Sequence, residues 1–407
     1  MGGVQSRAEV LVVGGGIVGA ATAYFLAQEG VRATIVDEHP PAWGASGRNP
    51  GYVWTHTRAE GVQMELALAG RRLYDDLIGA LDDFEFRPSG GMIYFFEDEH
   101  DLFPRFVAGR RAAGLPVELL DGDAARAACP ILPDDVAGAT FNPMDAHLEP
   151  TKLTQALARG AERSGATVRQ QKVLGLKMDG GRCVGVDTDD GPINADRVVV
   201  AAGSWSAQLL ASVGLRLPIV PMRLQMALTA PIDERFDPIL YGPTAVKQYA
   251  LTKDLPGYDE EEFLHPLETI FPGLAMLELA AQRKDGRVLL GCPMDFVGMN
   301  DQPTVGGLAL TCGIIGDHLP GLRDVAIERV WAGLLPQTPD ALPVLGPVDG
   351  VEGLVLATGH VFGVAAGPMS GKLIAQHLTG ATPALDLAPF RYERPEIADA
   401  VEDFGHW

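Results

Sequence analysis

The stretch Glu9-Val10-Leu11-Val12-Val13-Gly14-Gly15-Gly16-Ile17-Val18-Gly19-Ala20 sets the fold of the chain's first part. Residues 9–13 form a short run of β-branched and apolar side chains, the pattern of a strand buried on both faces. The run enters Gly14, Gly16 and Gly19, which fit GxGxxG spacing. Residues 20–29 then read as a helix stopped by Gly30, and residues 32–36 as a second strand ending in Asp37. Each position has a physical use. Gly14 permits a tight turn, Gly16 lets backbone approach a pyrophosphate, and Gly19 lets helix and strand pack closely. The helix N-terminus offers unpaired N–H groups, and Asp37 can accept hydrogen bonds from an adenosine ribose. The ordered series points to a dinucleotide site but does not separate flavin from nicotinamide.

Downstream lies Pro40-Pro41-Ala42-Trp43-Gly44-Ala45-Ser46-Gly47-Arg48-Asn49-Pro50-Gly51. This glycine-punctuated loop carries a hydroxyl, a guanidinium and an amide, chemistry suited to a phosphate and a ribityl chain. Gly44-Ala45-Ser46-Gly47-Arg48-Asn49 resembles the second cofactor motif of the D-amino-acid oxidase / sarcosine oxidase / glycine oxidase superfamily of FAD enzymes. Three later segments resemble that family in order. Val198-Val199-Val200-Ala201-Ala202-Gly203-Ser204-Trp205-Ser206 is similar to its strand that returns to the cofactor. Trp331 to Asp340, followed by Pro343 to Pro347, resembles its late turn. Gly359-His360-Val361-Phe362-Gly363, then residues 366–371, resembles its closing flavin loop and helix. The resemblance spans nearly the whole chain.

It implies non-covalent FAD. From the first motif it assigns cofactor contacts to Gly14, Gly16, Ile17, Val18, Gly19, Asp37 and Glu38. From the second it assigns Ala45, Ser46, Arg48, Asn49 and Gly51. Val173, Ala202, Gly203 and Trp205 follow, then Gly359, His360, Val361, Phe362, Gly363 and Val364. A helix over residues 363–377 would point its positive end at a reduced flavin. Covalent attachment is not expected, because relatives that attach flavin near the second motif use His where this chain has Asn49. The local sequences around Cys292 and Cys312 also differ from the attachment site of monomeric sarcosine oxidases.

The implied fold class is α/β: a Rossmann-type FAD-binding domain, a parallel sheet with helices, plus an inserted α+β substrate domain with a mixed/antiparallel sheet. Residues 1–80, 147–220 and 325–407 are expected to form the discontinuous FAD domain, and 81–146 and 221–324 the substrate domain. Short strands are expected over residues 84–87, 91–95, 223–229 and 287–292, and an amphipathic helix over 151–163. Residues 241–272 are long, aromatic and acidic, containing Asp259-Glu260-Glu261-Glu262. Such a segment is either a lid or partner surface, or a solvated outer helix.

Composition narrows the partners. Thirty-two Lys+Arg against fifty-three Asp+Glu leave a net charge of −21, which disfavours nucleic acid and anionic membrane surfaces. The apolar stretch 11–27 could pass for a signal peptide, but the glycine motif explains it better. No apolar run reaches the roughly 20 residues of a transmembrane helix. Four scattered cysteines without a CxxC argue against a metal site and fit a reducing, cytoplasmic location. Gly122-Asp123 is set too early for the flavin motif of aromatic hydroxylases, and residues 367–372 miss the spacing of a phosphate loop.

The resemblance implies oxidation of a C–N bond: a hydride passes from the carbon bearing the amine to flavin N5, and the resulting imine hydrolyses. Oxygen or an unidentified redox partner then takes the electrons. Amino-acid members hold the substrate carboxylate with an Arg in the late turn, where this chain has Leu335; Val361 and Phe362 stand where glycine oxidase adds a second Arg. Leu cannot replace a bidentate guanidinium. Another cation serves, or the anion lies elsewhere, or there is no carboxylate. Arg223 is the leading substitute; Tyr52, Trp54 and Tyr249 are the other expected substrate contacts, with Lys247 near Tyr249. Two alternatives stand beside the enzyme reading: the flavoprotein subunit of a hetero-oligomeric opine, hydroxyproline or sarcosine-type dehydrogenase, and a non-catalytic flavin-binding protein. Homo- or hetero-oligomers are both compatible with the sequence.

Overall fold

The computed structural model describes residues 8–97 and 101–400. The outermost parts of the expected FAD domain, residues 1–7 and 401–407, lie outside them. One eight-stranded sheet is built on Ala8–Val13, which sits between parallel partners: Val13 lies opposite Val36 on one side and Val200 on the other. Thr167–Gln170, Leu354–Thr358 and Val344–Pro347 extend the sheet at its edges. Alternation sorts the central strand's side chains between two cores. Val10 and Val12 pack among the helices Ile17–Gln28, Pro150–Arg163 and Gly363–Thr379. Leu11 and Val13 pack against Val173–Asp179 and Arg182–Thr188, which hang antiparallel from Gly191–Val200. Leu11 and Val12 are fully buried, each stabilising by about 1.5–3 kcal/mol. Gly371 lets two helices meet almost backbone to backbone: a Cβ there would lie 2.6 Å from Ala21 Cβ.

A second eight-stranded sheet runs in the order Ile327–Gln337, Val220–Pro231, Arg287–Asp295, Ala275–Gln282, Ile239–Tyr241, Gly91–Phe95, Gly138–Asn142, Glu118–Asp121. All its pairings are antiparallel except that of Ile239–Tyr241 with Gly91–Phe95. One face packs Met222, Met226, Leu279 and Cys292 with Tyr52 and Trp54; the other packs Met276, Ala280 and Leu290 under the helix Val305–His318.

Two expectations shift. Ile327–Gln337, placed by sequence in the FAD domain, pairs along its length with Val220–Pro231, because Trp331 and Leu335 pack into the second sheet's core. Residues 84–87 are not a strand apart from a bridge between Arg87 and His147; Phe86 instead stacks on Tyr74, with ring centroids 5.3 Å apart.

Residues 241–272 do not form one continuous helix. They fold as short turns, Pro243–Val246, Ala250–Lys253, Glu260–Phe263 and Pro266–Thr269, with the four acids of 259–262 exposed. A buried ion pair pins them: Lys247 Nζ lies 2.6 Å from Glu268 Oε1, and Glu268 also accepts from the Met276 amide at 3.2 Å. Among the described residues no helix is long and apolar enough to cross a membrane.

Candidate active site

A cavity of about 560 Å³ runs between the two sheets, from Asp37 and Glu38 at one end to Tyr241 and Tyr249 at the other. At the first end its wall is mostly backbone. Gly14 has φ +114°, and a Cβ there would lie 2.4 Å from the Ala201 carbonyl, so only glycine fits. The Gly15 amide donates to Asp37 Oδ2 at 2.7 Å, and the His39 amide donates to Oδ1 at 2.8 Å. Asp37 therefore braces the turn as well as facing the cavity. The first helix begins at the wall, where its leading amides have no partners within the helix. Ser46 Oγ, from the second loop, accepts one of them, the Ile17 N–H, at 2.9 Å. Asn49 shapes that loop by donating to the carbonyls of Ala45 and Ser46 and accepting from the Gly51 amide.

Ala202, Gly203, Trp205 and Val173 line the same cavity, as do Gly359 to Val364. The helix Gly363–Thr379 starts there. Ile17, Val18, Glu38 and Ala45 also reach the wall. An elongated groove with glycine turns, two helix N-termini and a carboxylate at one end fits a dinucleotide extended along it.

Four predicted site residues do not line the cavity. Gly19 is a packing residue, since a Cβ would lie 2.0 Å from the Gly14 carbonyl. Gly51 sits against Leu148 with φ +76°. Arg48 turns away to Asp301, 2.5 Å distant, and lies over the Trp43 ring; its own carbonyl accepts from Trp331 Nε1 at 3.1 Å. It latches the second loop to the second sheet. Arg223 is spent in a buried bidentate pair with Asp295, at 2.8 and 2.5 Å, and donates to the Gln302 carbonyl at 2.7 Å. Spacing alone did not reveal the acid on the neighbouring strand, Arg287–Asp295.

The far end is walled by side chains. Tyr52, Trp54, Tyr241 and Tyr249 form an aromatic cluster, with Trp54 and Tyr241 edge to face at 4.4 Å and Tyr52 and Tyr241 at 5.5 Å. The Tyr241 and Tyr249 hydroxyls bond each other, and burial raises all three phenol pKa values, so they stay neutral. Leu224, Leu277, Leu279, Leu334 and Leu335 supply apolar wall. Burial lowers His360 to about 3, leaving a neutral imidazole whose Nε2 has no partner. Cys292 also faces the cavity, and burial pushes its thiol well up.

Sequence reading missed Arg58, which lines this end at 2% exposure. Its Nε donates to the Trp54 carbonyl at 3.0 Å and its guanidinium carbon sits 3.1 Å from the Phe362 ring centroid, while Nη1 has no partner. The available signal was proximity: Arg58 lies four residues after Trp54, just past the stretch that was read as substrate-facing.

Comparison with known proteins agrees with this geometry. The chain is 30% identical over 391 residues to a glycine oxidase of Pseudomonas aeruginosa, covering 94% of this chain and 97% of that protein. It is 29% identical over 444 positions to a D-amino acid dehydrogenase of Cereibacter sphaeroides, covering 95% of each. The crystal structure of glycine oxidase from Geobacillus kaustophilus superposes with a TM-score of 0.81 at 25% identity, covering 95% of this chain and 99% of that one. The family model for FAD-dependent oxidoreductases of the DAO type matches residues 9–377. Glycine turns, parallel sheet and a shared cavity thus have one explanation: the chain belongs to the DAO family of FAD-dependent oxidoreductases and is an FAD-dependent enzyme of amine or amino-acid oxidation.

Proposed function

We propose that the chain oxidises a small amino acid, or an N-substituted one, at its C–N bond, with substrate held among Tyr52, Trp54, Tyr241 and Tyr249. The observation that carries this reading is the single cavity joining the glycine turns to the aromatic cluster. Gly14 to Val18, Ser46 and Ala202 to Gly203 would hold the pyrophosphate and ribityl regions, Asp37 the ribose, and residues 359–364 the ring end. When bound, FAD supplies the hydride acceptor for the carbon whose C–N bond becomes C=N. Water then hydrolyses the released imine to a carbonyl compound and an amine.

The protein's own part is orientation and desolvation. The phenols and His360 are neutral near pH 7, so they offer hydrogen bonds but no strong base. The substrate amine must therefore shed its proton before oxidation, either to solvent or on entry. Non-covalent attachment is the favoured state of the flavin, because Asn49 is engaged within its loop and the Cys292 thiol is held protonated. The three other cysteines are also free thiols, which supports a reducing, cytoplasmic setting.

Anaerobic mixing with a panel of amino acids, N-substituted amino acids and decarboxylated amines tests the reading. Bleaching of the flavin band by one substrate class supports it; no bleaching by any amine contradicts it. Re-oxidation in air marks an oxidase, whereas re-oxidation only by an added dye marks a dehydrogenase or a subunit with a redox partner. Loss of all flavin colour from the protein band in a denaturing gel would establish non-covalent binding.

A further inference from the structure

We infer that Arg58 is the anion clamp of the substrate site, replacing the cation missing at Leu335, and that it selects amines bearing a carboxylate. This rests on the reading of the aromatic end as the substrate end. Of the charged residues on the cavity wall, Asp37, Glu38 and Lys172 sit at the dinucleotide end, where Lys172 pairs with Glu38 at 3.2 Å. Arg58 is the cation at the other end.

Its surroundings leave it incompletely satisfied. A guanidinium has five N–H donors. Nε reaches a carbonyl, one face is stacked on Phe362, and Nη1 is buried with no partner. Tyr249, Tyr241 and Asp145 act on it electrostatically, but none of them is hydrogen-bonded to it; Asp145 Oδ1 is committed to the Thr55 amide and hydroxyl, at 2.6 and 2.7 Å. Removing a cation from water without a full set of partners costs several kcal/mol. Proteins keep such groups where a ligand completes them. Stacking on Phe362 and the Nε bond fix the guanidinium plane, so little rotamer entropy is lost when an anion docks. Arg223, the sequence candidate, does not line the cavity, and each of its three nitrogens already has a partner in Asp295 or the Gln302 carbonyl. The leucines and aromatics opposite leave room for an apolar substituent and supply no second charge. The matching ligand is a monocarboxylate amine with a small uncharged side group.

The test uses the FAD-loaded protein and needs no turnover. Benzoate and its uncharged isostere benzamide are titrated while the flavin absorbance is followed. Wild type should bind benzoate far more tightly than benzamide. Arg58→Met should lose at least about 30-fold in benzoate affinity, with benzamide unchanged, as removal of one partner of a buried charged hydrogen bond implies. Arg58→Lys should fall between. FAD content should be unchanged in both, and Arg58→Met should melt no lower than wild type, since an uncompensated buried charge is removed. Equal binding of benzoate and benzamide by wild type would overturn the proposal, even if no variant folds. So would unchanged benzoate affinity in Arg58→Met. If amines bleach the flavin regardless of Arg58 and carboxylate, the clamp fails while the oxidation reading stands. If benzoate binds through Arg58 but no amine reduces the flavin, the oxidation reading fails instead.

Discussion

Between Asp37 and the aromatic cluster the cavity wall is largely backbone: residues 14–16, 201–203 and 359–363 approach from three turns, with positive φ at Gly14, Gly203 and Gly359. At the Tyr249 end the wall is side chain: four aromatics, five leucines and a buried arginine drawn from the second sheet, the short strand Tyr52–Val53 and the segments outside the strands. The first kind of wall suits what all dinucleotides share. The second can change with single substitutions while the fold persists, which is where members of one family come to differ in substrate. Leu335 and Arg58 illustrate this: a cation absent from one strand and present on a neighbouring loop can leave the cavity's charge in place while moving its position.

The contrast can be broken most severely at Gly14. Gly14→Ala forces a side chain into a left-handed conformation and against the Ala201 carbonyl, so purified protein should carry no FAD and melt well below wild type. Retention of full FAD content would mean that the turn is not as tight as the structure has it. Arg223→Ala comes next. Breaking its pair with Asp295, where the two side chains are 5% and 11% exposed, should cost about 3–5 kcal/mol in denaturant unfolding. The substrate KM of protein that remains folded should not change, and a KM rise without loss of stability would return Arg223 to the substrate site.

Asp37→Ala should weaken FAD by about 2 kcal/mol, roughly 30-fold, because the carboxylate braces Gly15 and, on the proposed reading, would accept from the ribose. Equilibrium dialysis of the apoprotein would measure it, and an unchanged constant would leave the acid a purely local brace. Stability should also depend on pH. Burial depresses His147 and His360 to about 3 from an ordinary 6.5. Their contribution to stability is full above about pH 6.5 and is lost as pH falls toward 3. Thermal melts should therefore drop as pH is lowered from 7.5 to 5, and His360→Asn should flatten part of that slope. The reduction rate should show no inflection from His360 between pH 5 and 8.

The glycine motif, the strands at residues 9–13 and 198–200 and the closing helix were legible because backbone demands leave a signature in residue type: glycine where φ is positive, β-branched residues where both faces are buried. Most of the glycine-turn wall of the cavity was accordingly readable by position. The substrate end was not. Arg223 and Arg58 are both arginines near aromatic or apolar runs, and sequence cannot tell which one meets an acid. That depended on Asp295 lying opposite Arg223 across two antiparallel strands. Arg48 was read as a phosphate ligand for the same reason, its partner Asp301 being 253 residues away. The late-turn motif puts Ile327–Gln337 within the expected FAD domain, whereas its register with Val220–Pro231 places the strand in the second sheet.

A crystal structure of the FAD-loaded chain with benzoate tests the central claim most directly. FAD is expected to extend from Asp37 to residues 359–363, with the carboxylate on Arg58 Nη1 and the ring among Tyr52, Trp54, Tyr241 and Tyr249. FAD in that groove with the carboxylate paired elsewhere, or a dinucleotide lying outside the groove, would contradict it.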